Sequence, residues 1–410
     1  MNDKDNLVKI SFLGDIMCEK PLQKAAQKGE DFNFSQVFKN TKSILEQSDY
    51  VVGNLETVFA GKEKQYTNHI YCFNTPDSFA DALAESGIDL VTTATNHCLD
   101  RGIEGLNRTI AVLDERKIEH IGTYATIEES KNIFVKDFDG VKIAFLSYTY
   151  GTNVHETKVV LDEEELFHVN LLKPQTFNLQ TYVNANKVSK VRRVISSALL
   201  NVLSTETKIR IKRALKMPYN FVRVDHLDMG EINEEYLEDI RKKILLAKDQ
   251  ADYVVVCIHS GGQFNVQPGG FTKYIVDFLQ SNGCDIVIGT HPHVVQKYEK
   301  IDNCRVASSL GNYNISPSSV YLLMEDLPEY SVMLNHYFDK QSKILKMSTF
   351  TILKAVEDKK QYVSVYPVKK LWDEANETQK KVLLEDVRRI YKQFTGKAME
   401  QLVIEEEFSL

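Results

Sequence analysis

GTHPHVV occupies residues 289–295 and overlaps the end of an apolar run, CDIVIGT, at residues 284–290. A short apolar run closed by glycine and proline predicts a buried strand that stops before Pro292, because proline continues neither a ladder nor a helix. His291 and His293 flank that proline. Two imidazoles on a stiff turn at the carboxyl end of a strand suit a metal ion; the alternative is a proline turn carrying two exposed histidines. Further polar clusters, each closing its own strand-like run, tip the balance toward metal.

Working outward, ADYVVVCIHSGGQF at 251–264 predicts a buried strand ending at His259, with Gly261 and Gly262 free to let the backbone approach a ligand. VKISFLGDIM at 8–17 predicts a strand ending at Gly14-Asp15, which reads either as a plain turn or as a carboxylate offered to a ligand. Residues 20–48 are helix-like, with a break at 29–33. In DYVVGNLETVF at 49–59, a short strand precedes Asn54 and Glu56, which strand alternation puts on one side. Glu56 as a helix-capping residue is the competing reading. Residues 79–106 form a helix–strand–loop–helix unit in which Asn96-His97 stands just past the strand, followed by Asp100. There His97 can work as a general acid and Asp100 can hold its tautomer, unless Asp100 is simply the next helix cap. VKIAFLSYTYGTN at 141–153 adds a strand and a polar loop ending at Asn153. RVASSLGNYNIS at 305–316 reads as one strand ending at Leu310-Gly311-Asn312. Asn54, Asn153 and Asn312 are expected to contact substrate.

Alternating helices and strands predict a layered α/β fold, with ligands collecting beyond the carboxyl ends of the strands. Residues 155–225 break that rhythm. Lys187, Lys190, Arg192, Arg193, Lys208, Arg210, Lys212, Arg213 and Lys216 crowd one stretch, and Val188, Val191, Ile195, Leu199 and Val202 fall near helical spacing. A basic amphipathic insertion follows, either touching an anionic polymer or membrane surface or packed on the core as a solvated helix. Residues 231–250 read as a helix with an acidic start. Between about 325 and 368 the pattern is strand-like, with a hairpin turn at 339–341. Residues 371–410 are expected to form a helical C-terminal segment after a main domain over 1–370.

The 410 residues are 43% hydrophobic and 26% charged, an ordinary globular composition. A net charge of −7 argues against a nucleic-acid binder. Six cysteines without a C-x-x-C pair suggest buried, reduced thiols. With no secretory signal and no apolar run of ~20 residues, a cytoplasmic chain is expected, docked at the membrane only peripherally.

Asp15, Glu56, Asn96, His259, His291 and His293 offer oxygen and nitrogen ligands without sulfur, which favours a catalytic pair of divalent ions over a structural zinc. Such a centre acidifies a bound water and stabilises the charge that develops in phosphoryl or acyl transfer.

The motifs GDIM (14–17), GNLE (53–56), TNHCLDRG (95–102), SYTYGTN (147–153), HSGGQF (259–264), GTHPHVVQ (289–296) and SLGNY (309–313) resemble, in order and spacing, the CapA-type poly-γ-glutamate capsule biosynthesis family of the calcineurin-like metallophosphoesterase superfamily. The resemblance spans about residues 8–320. It implies a four-layer αββα sandwich, a phosphoesterase-like site holding two divalent ions (Mn, Fe or Zn), and a link to making, exporting or anchoring an anionic surface polymer. Carried over by residue, it puts Asp15 and His293 on one ion and Asn96, His259 and His291 on the second. Glu56, with help from Asn54, would bridge the ions or join one of them, and His97 would act as the acid, oriented by Asp100. Met17 stands where the wider superfamily has a histidine ligand; Ser260 and Gln263 replace the usual tryptophan and glutamate. The family's frequent N-terminal membrane anchor is not seen at this N-terminus. Three functions stay open: a metal-dependent hydrolase acting on a phosphoester or an anionic polymer, alongside membrane-associated capsule synthesis proteins; a non-hydrolytic polymer-binding subunit; or a nucleotidase of general metabolism, which differs from the first only in substrate.

Overall fold

The computed structural model describes residues 6–176, 205–215 and 219–410. Among them two large sheets stack face to face. One is built on four parallel strands, β1 (Leu7–Ile16), β2 (Tyr50–Leu55), β3 (Leu90–Thr92) and β4 (Glu119–Ile121), in that spatial order. The other begins with the antiparallel pair β5 (Phe134–Phe138) and β6 (Val141–Thr149). It continues in parallel through β7 (Tyr253–His259), β8 (Ile286–Thr290) and β10 (Cys304–Ala307), with β9 (Tyr298–Ile301) antiparallel at the far edge. Past β1 the first sheet is extended by β12 (Tyr330–Asp339), β13 (Leu345–Glu357) and β14 (Val363–Pro367), all antiparallel.

Strands covered on both faces need apolar side chains on both, so they read as continuous runs rather than alternating ones. The packing bears this out. Ile10 and Phe12 of β1 and Val52 of β2 face Phe145, Val255 and Ile288 of the second sheet in one buried cluster. The opposite face of the first sheet, with Leu13, Val51 and Val91, packs on helices α1 (Lys20–Ala26), α2 (Ser78–Ser86) and α3 (Gly102–Glu115) through Leu22, Phe79 and Leu113. The outer face of the second sheet, with Leu146, Val256 and Val287, is covered by α5 (Glu234–Gln250) and α6 (Gly270–Ser281). The expected αββα order of layers is therefore present.

Two segments depart from expectation. Residues 305–316 do not form one strand: Cys304–Ala307 belongs to the second sheet, whereas Asn312–Asn314, here β11, crosses over and pairs with β1. Gly311 makes the crossing with φ +76, a left-handed conformation that costs a glycine little. At the C-terminus, α7 (Val368–Glu374) and α8 (Glu377–Thr395) are helical, but the chain leaves the helix at Gly396. Instead of further helix, β15 (Phe408–Ser409) adds to β13. Leu383, Val387, Ile390 and Phe394 of α8, at helical spacing, join the core between the sheets. The C-terminal segment thus completes the main body.

Of the basic insertion, Val188, Val191, Ile195, Leu199, Val202, Lys187, Lys190, Arg192, Arg193 and Lys216 lie outside the described residues. The described helix α4 (Thr205–Ala214) buries Ile209 in the core against the helical layer, and its Glu206 meets Arg210 at 2.7 Å and Lys20 at 3.3 Å. The six cysteines are free, five of them buried. No helix among the described residues is long and apolar enough to cross a membrane.

Candidate metal centre

The carboxyl ends of β1, β2, β7 and β8 converge. At the end of β1, one extra residue relative to β2 bulges the strand between Phe12 and Asp15, and such a bulge re-aims the side chain that follows it. Only glycine fits at position 14 in this bulge, since a Cβ there would come within 1.9 Å of the Gly311 carbonyl oxygen. Asp15, fully buried, accepts hydrogen bonds from the Asn54 amide at 2.8 Å and the His291 backbone N–H at 3.2 Å. Its carboxylate lies 3.4 Å from His293 Nδ1. Glu56 follows β2 directly, and neither of its buried carboxylate oxygens has a hydrogen-bond partner among the described residues. The nearest nitrogens are His259 Nε2 at 3.5 Å, His97 Nε2 at 3.6 Å and His293 Nε2 at 3.8 Å.

His291 and His293 adopt left-handed backbone conformations, φ +97 and +58. Convergence therefore comes from the turn and not from strand alternation. His259 is held by Thr290 Oγ1 at 3.1 Å and by Asn96 Oδ1, 2.8 Å from Nε2. The tautomer of His293 follows from Asn312. The Asn312 amide nitrogen donates to the carbonyls of His293 and Pro328, both at 2.9 Å. Its Oδ1 must then face His293 Nδ1, 2.9 Å away, and accept the Nδ1 proton. That leaves Nε2 of His293 turned toward Glu56.

Two sets of ligand atoms result: Glu56, His259 and His291, and Asp15, Glu56 and His293, each with its atoms within 4.8 Å of one another. They share Glu56. A buried carboxylate with both oxygens unsatisfied is costly unless a cation or donor completes it. Oxygen and imidazole donors fit a hard or borderline divalent ion, so the residues present are compatible with divalent-metal binding. The charges agree. Burial would raise the pKa of Glu56, but the charges of His293, His259 and His97 overcome it and hold it at about 2. Burial would lower that of His293, yet Glu56 and Asp15 bring it up to about 9. His291, by contrast, is pushed well down by burial and by His259 and His293, which favours the neutral imidazole a cation needs.

Beside these sets stands His97. Its Nδ1 donates to Asp100 Oδ2 at 2.6 Å, and its ring stacks on Phe73 with centroids 4.2 Å apart. Asp100 also accepts from the Phe73 backbone N–H and from the Asn153 amide at 2.9 Å. Asp100 is not the cap of α3: Arg101 occupies that position, with no side-chain capping bond. Burial would lower the pKa of His97, but Asp100 and Glu56 raise it above the usual imidazole value.

The three asparagines expected to contact substrate are each engaged by the protein's own groups. Asn312 is fully buried and its amide is spent on His293 and Pro328. Asn54 donates to Asp15 and accepts from Thr92 Oγ1 at 2.8 Å. Neither has a free polar atom for a substrate, and both orient residues of the metal sets. Asn153 borders the cleft, but it ties the Asn96 amide, at 3.0 Å, to Asp100. Gly262 does not admit a ligand: a Cβ there would meet the Arg223 carbonyl oxygen at 2.1 Å, so the loop approaches the chain's own backbone. Met17 is buried in the apolar core, with its N–H 3.1 Å from Asn314 Oδ1. Phe73, Thr290 and Tyr150, whose ring lies 4.7 Å from that of His291, were not singled out from sequence. Phe73 sits in a stretch with no periodic pattern, and Tyr150 could have been noticed only through its place in SYTYGTN.

Comparison with known proteins bears on the family of the chain. The chain is 24% identical over 313 residues to the PGA biosynthesis protein CapA of Bacillus subtilis (strain 168), covering 75% of this chain and 63% of that protein. It is 22% identical over 309 residues to the capsule biosynthesis protein CapA of Bacillus anthracis, covering 74% and 59%. It thus spans about three-fifths of the length of these relatives. A crystal structure of a phosphatase from Mycoplasma pneumoniae superposes with a TM-score of 0.43 at 12% identity, over 85% of this chain and 93% of that one; so slight a likeness carries no function. The family model for the bacterial capsule synthesis protein PGA_cap matches residues 9–316, three-quarters of the chain and all of the strand ends described above, and the chain belongs to that family.

Proposed function

We propose that this chain is a metal-dependent, phosphoesterase-like hydrolase in the biosynthesis, export or anchoring of a capsular anionic polymer, such as poly-γ-glutamate or an acidic polysaccharide. The observation that carries this reading is the pair of ligand sets sharing Glu56, with the His97–Asp100 pair facing them. Asp15 and His293 would hold one divalent ion (Mn, Fe or Zn); His259, His291 and Asn96 the second; Glu56 both. Ions bound there would acidify a water and neutralise charge on the reacting group. His97, with Nδ1 engaged by Asp100, would hand a proton from Nε2 to the leaving oxygen or nitrogen. Asn54, Asn153 and Asn312 would hold these groups in register. The basic stretch between 187 and 216 would supply cations for the polymer, and membrane-associated capsule synthesis proteins would be neighbours.

The test is turnover of an aryl phosphate by Mn-loaded protein. His97→Ala is expected to lower the rate by roughly 10²–10⁴-fold, the usual worth of general acid–base catalysis, with bound metal unchanged. Full metal occupancy with no turnover by the wild type would sink the hydrolase reading. One observation favours the alternative of a non-hydrolytic polymer-binding subunit: Met17 is buried in the core and offers no ligand where the superfamily has one. That alternative predicts polymer binding without turnover.

A further inference from the structure

We propose that Phe73 is a positioning residue for the proton donor: its ring braces the His97 imidazole so that Nε2 stays aimed at the metal centre. The inference deepens the hydrolase reading and rests on it for the role of His97 as an acid.

The hydrogen bond that fixes the His97 ring is made at Nδ1, with Asp100 Oδ2 at 2.6 Å. A ring held at one atom can still tilt about it, and the opposite edge moves most. That edge carries Nε2, 3.6 Å from Glu56. A flat surface against the ring removes the freedom, and Phe73 supplies one. Its ring lies 13° from parallel to the imidazole, with centroids 4.2 Å apart, and both residues are buried. Phe73 also fixes the other half of the pair. Its backbone N–H donates to Asp100 Oδ2, the oxygen that accepts from His97. Because that bond belongs to the backbone, substitutions at position 73 test the ring alone.

The loop that carries Phe73 leaves β2 through Glu56 and runs on to α2. The next residue closes it. Buried Asn74 accepts from the Ala60 N–H at 2.8 Å and donates to the Gly61 and Gln65 carbonyls at 2.8 and 3.0 Å. Gln23 of α1 donates to the Asn74 carbonyl at 3.0 Å. The brace and the shared ligand Glu56 thus stand on one closed loop, which keeps the ring in register with the centre.

Plain core packing is the competing role for a buried phenylalanine, and it predicts lost stability and nothing else. An aliphatic side chain fills the space without offering a plane. A stacked aromatic pair is worth up to roughly a factor of 10 beyond its buried area.

The experiment compares wild type, Phe73→Leu and Phe73→Tyr as full-length, Mn-loaded proteins. Each is given a nitrophenyl phosphate, whose leaving group departs without a proton, and an alkyl phosphate, whose leaving oxygen needs one. Phe73→Leu is expected to lower kcat on the alkyl ester by about 3- to 10-fold more than on the nitrophenyl ester, with KM and bound metal unchanged. Phe73→Tyr keeps the ring and should restore the wild-type ratio. That ratio is taken within one sample, so it does not depend on what fraction of a variant folds. A second readout needs no turnover. In zinc-loaded protein with isotope-labelled histidine, the His97 Nδ1 proton is expected to exchange with solvent about 10-fold faster in Phe73→Leu than in the other two. A leucine variant with the wild-type ester ratio overturns the proposal, as does a tyrosine variant that behaves like leucine. Failure of the hydrolase reading shows separately, as a wild type that turns over neither ester with metal in place. Proton exchange then decides alone, and equal rates in wild type and Phe73→Leu overturn the brace.

Discussion

Glu56 is the residue on which the centre turns. It is fully buried, both oxygens lack hydrogen-bond partners among the described residues, and both ligand sets include it. Glu56→Gln keeps the shape and removes the charge. The variant is expected to lose at least half of the bound metal by elemental analysis. In the wild type, chelation should remove roughly 3–4 kcal/mol of stability, the linkage expected when metal stands at 100 to 1,000 times its Kd. In Glu56→Gln that chelator-sensitive part should disappear. Metal content equal to wild type in the variant would remove Glu56 from the centre. The histidines around it depend on partners that carry no metal: Asn312 sets the tautomer of His293, and Asp100 that of His97.

Single strands impose their own constraints. The bulge in β1 turns Asp15 into the site, and β12, on the other side of β1, carries a histidine with a different role. His336 is fully buried, meets Ser348 Oγ at 2.8 Å through Nδ1, and has no partner at Nε2 among the described residues. Burial, helped by the charge of Arg305, pushes its pKa down to about 3. An unfolded histidine titrates near ~6.5. Between those values the unfolded chain binds a proton that the folded chain does not. The contribution of neutral His336 is thus complete above the unfolded pKa and is lost as pH falls toward 3. His336→Asn, which keeps a partner for Ser348, is expected to lose about 2 kcal/mol less stability than wild type on going from pH 7.5 to 5. Urea unfolding at both pH values measures this, and identical pH slopes would refute it.

Across the whole molecule, the two sheets share one core that the C-terminal segment completes. Phe408 is 2% exposed and stacks on Phe350 with centroids 5.3 Å apart, in the same cluster as Phe394 and the inner faces of both sheets. Glu407 beside it accepts hydrogen bonds from Asn335 and Tyr337 of β12. Phe408→Ala is expected to destabilise the protein by about 3–5 kcal/mol, as for other buried Phe truncations. Because the segment shares the core, the loss should appear as a shift of one cooperative transition. A separate early transition, with the main one unmoved, would show the segment to be an independent unit.

Strand ends were legible in the residues themselves. Buried strands show as apolar runs, and the chain can leave them only at glycine, proline or polar positions, so Asp15, Asn96, His259 and His291 stood out where β1, β3, β7 and β8 finish. Periodicity reports which residues are buried and not which strand lies alongside. For that reason the split of residues 305–316 between two sheets stayed hidden, and Asn54 and Asn312 looked like substrate contacts although folding saturates their amides. Phe73, in an irregular stretch, has the same local signature as any core phenylalanine. Its place against the acid pair follows from contacts with His97 and Asp100, distant in the chain, and contacts of that kind exist only once the loops have packed.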